Sequence, residues 1–139
     1  MKSEIGEPSQ LLLADDNIRV EELNGRVYTI LVARHITRDS LALALQTIWS
    51  SPRWRQPWGL VIDLRHATYD NDLRKHEMPP ANLRAVGTAI VTSKQMYRIV
   101  IKSINLGLKM FSNYELSAHD HFADAVRSQR QAVERAQAK

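Results

Sequence analysis

Asp63 closes a short apolar run, Gly59-Leu60-Val61-Ile62-Asp63-Leu64, and a loop dense in oxygen atoms follows it, Thr68-Tyr69-Asp70-Asn71-Asp72. A buried strand that ends in a carboxylate and feeds a polar loop is how an α/β sheet delivers chemistry to its carboxyl edge. Two uses of that arrangement can be read from the residues. In the first, Asp63 accepts a phosphoryl group while the acidic pair Asp15 and Asp16 binds magnesium and Thr92 or Ser93 supplies a hydroxyl. Clustered carboxylates holding magnesium offset the charge of the transferring group. In the second, Asp63, Thr68, Asp70, Asn71 and Asp72 form a switch or ligand loop with no covalent step.

Other polar groupings compete with simpler explanations. Asp70, Asn71, Asp72 and His76 have the types of a metal or acid–base site, but Asp and Asn also turn and cap loops through their own hydrogen bonds. His119-Asp120-His121 resembles a ligand pair, yet Asp120 is well placed as the N-cap of a following helix, which would splay the two rings. Metal sites normally need three or more convergent ligands, so no metal is expected. Trp49, Trp54 and Trp58 alternate with Arg53 and Arg55 as a nucleic-acid stacking surface would. Core tryptophans with stacked arginines explain the same residues, and nucleic acid is not expected as a partner. No nucleophile–base pair and no glycine-rich phosphate loop is visible, with only five glycines in all, so the chain reads as non-enzymatic and without a cofactor.

The elements that must position these residues follow from periodicity and breakers. Residues 1–9 read as a disordered leader, with Gly6 and Pro8, and 10–139 as one domain. Asn24-Gly25 between two runs of strand formers predicts a hairpin over 18–36. Thr37 is placed as an N-cap, with Ile36 and Leu41 as a hydrophobic staple, for a helix carrying Leu41, Ala44, Leu45 and Ile48 to about Ser50. Strands are predicted at 59–64, 88–91 and 114–118, a helix over about 95–111, and a last helix over 121–138. The stripe of that last helix is Phe122, Ala125, Val126, Gln129, Val133 and Ala136. Such an order is an α/β fold: one mixed β-sheet, an N-terminal hairpin and then alternating strands and helices packed on it.

Leu11-Leu12-Leu13-Ala14-Asp15-Asp16-Asn17 with Asp63 resembles the acidic strand and acceptor of response-regulator receiver domains. The Asn24-Gly25 hairpin arrives where a receiver needs a long helix, and no lysine lies between Met110 and Ala138 to reach a phosphoryl group. The order hairpin, helix, strand, loop, strand, helix, strand, helix is instead similar to the STAS fold, and in particular to the SpoIIAA-like, anti-sigma-factor-antagonist-like proteins of bacteria. The resemblance covers about 18–135. It is carried best by Gly87-Thr88-Ala89-Ile90-Val91-Thr92, by Leu106-Gly107-Leu108-Lys109-Met110-Phe111, by Tyr114-Glu115-Leu116 and by Asp120-His121-Phe122-Ala123-Asp124-Ala125. It implies a regulatory or protein-interaction module. It also implies an Asp-Ser pair at a helix start after the central strand, where a phosphate is tolerated. Here that position is Asn71-Asp72-Leu73, and no serine lies from Gly59 to Thr92, so the usual phosphorylatable serine is missing.

The 95–111 helix is the most apolar stretch. Tyr97, Val100, Ile101, Ile104, Leu108 and Phe111 share an arc sufficient to pack on a sheet. Met96, Ile99, Leu106 and Met110 form a second apolar stripe. Methionine suits an adaptable contact. That stripe is the candidate interface with a protein partner, most simply a second copy in a homodimer. Burial under the 65–85 loop is a competing reading, and so is a site for a lipid or other apolar ligand.

Composition frames these expectations. The 139 residues, 44% hydrophobic and 24% charged, are enough for a core without staples. With no cysteine, disulfides and thiolate chemistry are excluded and a reducing compartment is compatible. Met1–Pro8 has no signal-peptide character, no run approaches the roughly 20 apolar residues of a membrane span, and a cytoplasmic location is expected. A net charge of +4 is too mild to argue for a polyanionic partner.

Overall fold

The computed structural model describes residues 9–23, 26–36, 43–44, 46–48, 50, 57–66, 68–69, 85–92 and 115–137. Six strands make one mixed sheet in the order β1-β2-β3-β5-β7-β8. They are β1 (Ser9–Ala14), β2 (Ile18–Leu23), β3 (Val27–Val32), β5 (Trp58–Asp63), β7 (Ala85–Val91) and β8 (Glu115–His119). β1, β2 and β3 are antiparallel neighbours, whereas β3, β5, β7 and β8 run parallel. Two short strands, β4 (His35–Ile36) and β6 (Thr68–Tyr69), pair in parallel as a second sheet.

The predicted hairpin forms with Leu23 opposite Val27, so its connection spans three residues, 24–26. Arg26 takes the left-handed conformation, φ 63°, that would suit glycine. Its carbonyl accepts the N–H of Gly59 at 3.0 Å, which ties the hairpin to the start of β5. A parallel β3–β5 pair demands a crossover. Leu43, Ala44 and Gln46–Ile48 are helical between them, within the predicted helix. β1 begins at Ser9, one residue inside the expected leader, because Ser9 pairs with Leu23.

Alternation divides the sheet into two faces. On one face Ile18, Val20, Tyr28, Ile30, Val32, Leu60, Ile62 and Leu64 pack with Trp58, Ala44 and Ile48. The Trp58 and Tyr28 rings meet edge to face, 5.5 Å apart at 89°. Ala44 and Ile48 lie four apart and both are fully buried, as a helical stripe requires, while Leu43 is exposed. Leu12 and Leu13 of β1 both reach this cluster, helped by a register shift between Leu11 and Leu13.

The opposite face packs Leu23, Val27, Val61, Ala89 and Val91 against Phe122, Ala125 and Val126 of a helix, Phe122–Gln137. That helix also buries Gln129, Ala132 and Val133, close to the stripe expected of it. Its first intrahelical bond runs from the N–H of Ala125 to the carbonyl of His121. The N-cap is therefore His121, one residue beyond Asp120, where the sequence had put it.

Gly59 explains how the helix lies so close. A Cβ on Gly59 would stand 2.8 Å from both Cβ and Oε1 of Gln129. Opposite this point the β5–β7 register shifts between Trp58 and Leu60. The Gly59 N–H points to the β3 side, so alternation aims the Leu60 N–H toward β7, where the ladder is broken. Gln129 Oε1 accepts that N–H at 3.2 Å. A buried polar residue on the helix thus repairs a gap in the sheet.

Candidate functional site at the carboxyl edge of the sheet

Because β3, β5, β7 and β8 are parallel, the residues after Val32, Asp63, Val91 and His119 all emerge at one edge of the sheet. The β1–β2 turn lies at the same edge, since Ile18 pairs with Val32. In open α/β sheets this is where ligands and partners are met.

Asp63 stands at the middle of that edge with 2% of its surface exposed. Its Oδ1 accepts the backbone N–H of Arg65 at 3.1 Å and the Arg65 Nε–H at 3.0 Å. Its Oδ2 accepts from Arg65 Nη2 at 2.6 Å. The carboxylate is held as a forked ion pair and also turns the backbone after β5. The next backbone bond, Leu64 N–H to the Val91 carbonyl at 2.9 Å, clips this turn to β7.

Asn17 makes a second set of ties. Its Nδ2–H donates to the His35 carbonyl at 2.8 Å, and its Oδ1 accepts the N–H groups of Arg34 and His35 at 3.1 and 3.0 Å. Its own carbonyl accepts the Ala33 N–H at 2.7 Å. Asp15 Oδ1 accepts the N–H groups of Ile18 and Asn17 at 2.7 and 2.8 Å, which sets the turn that presents Asn17. These bonds, Ile18's before Asn17's, hold the exposed Asp15 carboxyl below its ordinary value. The segment after β3 is then paired with the loop after β5, His35 to Thr68 and Ile36 to Tyr69. Three strand ends are locked together.

The structure brings some expected site residues together and separates others. Asp63 and Thr68 both belong to this edge, Thr68 through backbone pairing in β6. Asp70, Asn71, Asp72 and His76 lie outside the described residues, as do Met96, Ile99, Leu106 and Met110, Ser93, Trp49, Trp54, Arg53 and Arg55. Asp15 and Asp16 do not join Asp63. They lie in the turn between β1 and β2, with β3 standing between β2 and β5, and Asp15 is engaged in that turn. Asp16 faces Arg34 at 3.7 Å, both exposed. Thr92 is buried, its N–H bonded to the His119 carbonyl at 2.9 Å. Trp58 is a core residue. Among the described residues no three of His, Asp and Glu converge to hold a metal ion.

His119 and His121 are splayed: His119 ends β8 and His121 is the exposed cap of the helix. His119 instead pairs within its own strand, Nε2 lying 2.9 Å from Ser117 Oγ. Sequence reasoning missed this pair. The signal was present, since Ser117-Ala118-His119 in a strand places Ser and His on one face two residues apart. The ties of Asn17 and the acceptor role of Gln129 were missed as well.

A mixed sheet of this order, with a β-hairpin leading into parallel strands and a final helix packed on one face, is the SpoIIAA-like α/β fold. A solved structure of an uncharacterised DUF3478-family protein with a SpoIIAA-like fold, from Shewanella loihica PV-4, is similar to this chain at a TM-score of 0.51. The match covers 93% of this chain and 98% of that protein, with 14% of residues identical, and is a likeness of fold. No protein-family model and no curated protein matches the chain. Among the described residues no helix is long and apolar enough to cross a membrane.

Proposed function

We propose that this chain is a regulatory or protein-interaction module whose working surface is the carboxyl edge of its sheet, and that it associates with a second copy of itself. The observation that carries the reading is the condition of Asp63. Both carboxylate oxygens are engaged by Arg65, and the acids that would supply magnesium to a receiver are engaged elsewhere, Asp15 in its own turn and Asp16 facing Arg34. An edge tied by Asp15, Asn17, Asp63 and the β4–β6 pair suits a surface held in one shape for recognition, with little of its binding energy lost to ordering. The homodimer rests on sequence alone, through the stripe Met96, Ile99, Leu106 and Met110.

Two measurements test this. Acetyl phosphate with magnesium should leave the intact mass unchanged; a phosphoryl adduct abolished by Asp63→Asn would restore the receiver chemistry. Light scattering after size exclusion should give a dimer, and Ile99→Glu with Leu106→Glu should give a folded monomer, because unpaired charges would have to be desolvated at the contact. A monomeric wild-type chain carrying a co-purified lipid in native mass spectrometry would favour an apolar-ligand carrier instead.

A further inference from the structure

The pair on β8 has a chemistry that the recognition surface does not use. Ser117 Oγ and His119 Nε2 are 2.9 Å apart, the separation of a nucleophile and its base. Both residues are half-buried, so the pair is neither sealed in the core nor fully hydrated. With the imidazole proton on Nδ1, the Ser117 O–H donates to Nε2, the polarity needed to generate an alkoxide. The two groups are separated by one residue, and only strand geometry brings them onto one face.

The strand supplies a third group. Thr92 N–H donates to the His119 carbonyl, so the peptide groups of His119 point toward β7. Alternation turns the N–H of Ala118 the other way, off the last strand of the sheet, where no strand pairs with β8 among the described residues. The N–H of the residue following a nucleophilic serine is a recurrent oxyanion donor. Beside the pair lie Ala89 and Val91, fully buried hydrocarbon in register with Ser117 and His119. Both are covered by Phe122, Ala125 and Val126 of the final helix, so they close the β7 side of the pair and leave its outer side for a substrate to approach.

We propose that Ser117 is a nucleophile activated by His119, with the Ala118 N–H as oxyanion donor, and that the outer side of β8 takes short acyl esters as substrates. Ser117 Oγ bonds to the ester carbonyl carbon as its proton passes to His119 Nε2. The tetrahedral intermediate collapses, the carbon–oxygen bond to the alcohol breaks, and His119 returns the proton to the leaving oxygen. Water then attacks the acyl-serine, giving its proton to His119, and releases the carboxylic acid with Ser117 restored. No cofactor or redox partner is required. This reading is independent of the recognition surface, and it stands or falls separately from it.

Among the described residues, the charged groups adjacent in chain or register are Asp120 and His121 just past the strand, Asp124 in the first turn of the helix, and Asp63 with Arg65 two strands away. The Asp63 row position is about 10 Å from His119, too far to orient it.

The test uses the whole chain with p-nitrophenyl acetate and, separately, an alkyl fluorophosphonate, followed by intact mass and peptide mapping. One adduct per chain, mapped to Ser117, is expected, and it should vanish in Ser117→Ala. The labelling rate should rise with pH as the imidazole gives up its proton and becomes able to act as a base. His119→Gln should flatten that profile and slow labelling about a hundredfold or more. Circular dichroism establishes that each variant is folded, and mapping on the wild-type chain decides the matter even if a variant fails to fold. Adducts spread over lysines and tyrosines with none at Ser117, or a pH profile unchanged by His119→Gln in a folded chain, would overturn the proposal.

Discussion

The apolar face of the sheet and its carboxyl edge are built on opposite principles from the same strands. On the apolar face Ile18, Val20, Ile30, Val32, Leu60 and Ile62 are neighbours across β2, β3 and β5, and burial is the whole argument. At the edge the turn into β2 carries Asp15 and Asn17 and β5 ends in Asp63, and these side chains are committed to named backbone groups or to Arg65. Hydrocarbon burial is non-directional and large, about 25 cal/mol per Å². A hydrogen bond nets only about 1 kcal/mol but fixes position. The face should therefore decide whether the chain folds, and the edge should decide what shape it presents.

The largest effect is expected from Trp58→Ala. Trp58 is 1% exposed and meets Tyr28 edge to face, so truncation removes its buried area and leaves a cavity beneath β3 and β5. Losses for such changes are about 3–5 kcal/mol. The urea midpoint should drop accordingly, with the slope unchanged if the chain remains two-state. A loss under about 1 kcal/mol would mean that the face is less consolidated than its burial implies, and the contrast with the edge would fail.

A smaller effect is expected at the edge from Arg65→Met. The buried Asp63 carboxylate loses its forked partner and keeps only the Arg65 backbone N–H. Breaking a buried pair from one side costs about 3–5 kcal/mol when no other partner remains; the retained N–H and the part-exposed arginine bring this to about 2 kcal/mol. Asp63→Asn in the same background should recover most of it by removing the unpaired charge. If the double change recovers nothing, Arg65 acts through its packing and not through the ion pair.

This contrast also separates what could be read from the sequence from what could not. The hairpin, β5, β7, β8 and the final helix were legible, because each carries its own period or turn signal, as Asn24-Gly25 and the Phe122–Val133 stripe do. β4 and β6 have two residues each and no period, so nothing local marks them. Asn17 reads as a turn residue, yet its bonds reach eighteen positions along the chain. Gln129 sits in an apolar stripe, and its role is set by a register shift 69 residues away. At the edge, then, Asp63 and its polar loop were visible as chemistry. The partners that fix Asp63 and Asn17 depend on strand order, which residue types alone do not carry.

The smallest effect is expected at Asp15, and its sign follows from the hydrogen bonds. Asp15 is ionised at neutral pH, and its folded-state value is lowered because Oδ1 accepts the N–H groups of Ile18 and Asn17. A lowered carboxyl contributes stability above its unfolded value, about 3.9, and loses it as pH falls through the folded value. Asp15→Asn keeps an acceptor oxygen in the turn but carries no charge, so it isolates the charged part of the interaction. The wild-type chain should have the higher urea midpoint at pH 7, by a margin small enough to need duplicate titrations. That margin should shrink progressively below about pH 4, as the wild-type carboxyl takes up its proton and comes to resemble the amide. Salt should reduce it little, since direct hydrogen bonds to N–H groups are screened less than the exposed Asp16–Arg34 pair beside it. A margin that stays constant down to acid pH would mean that the charge of Asp15 plays no part in holding the turn. Asn17 would then be presented to the His35 backbone by the strand pairing of β1 and β2 alone.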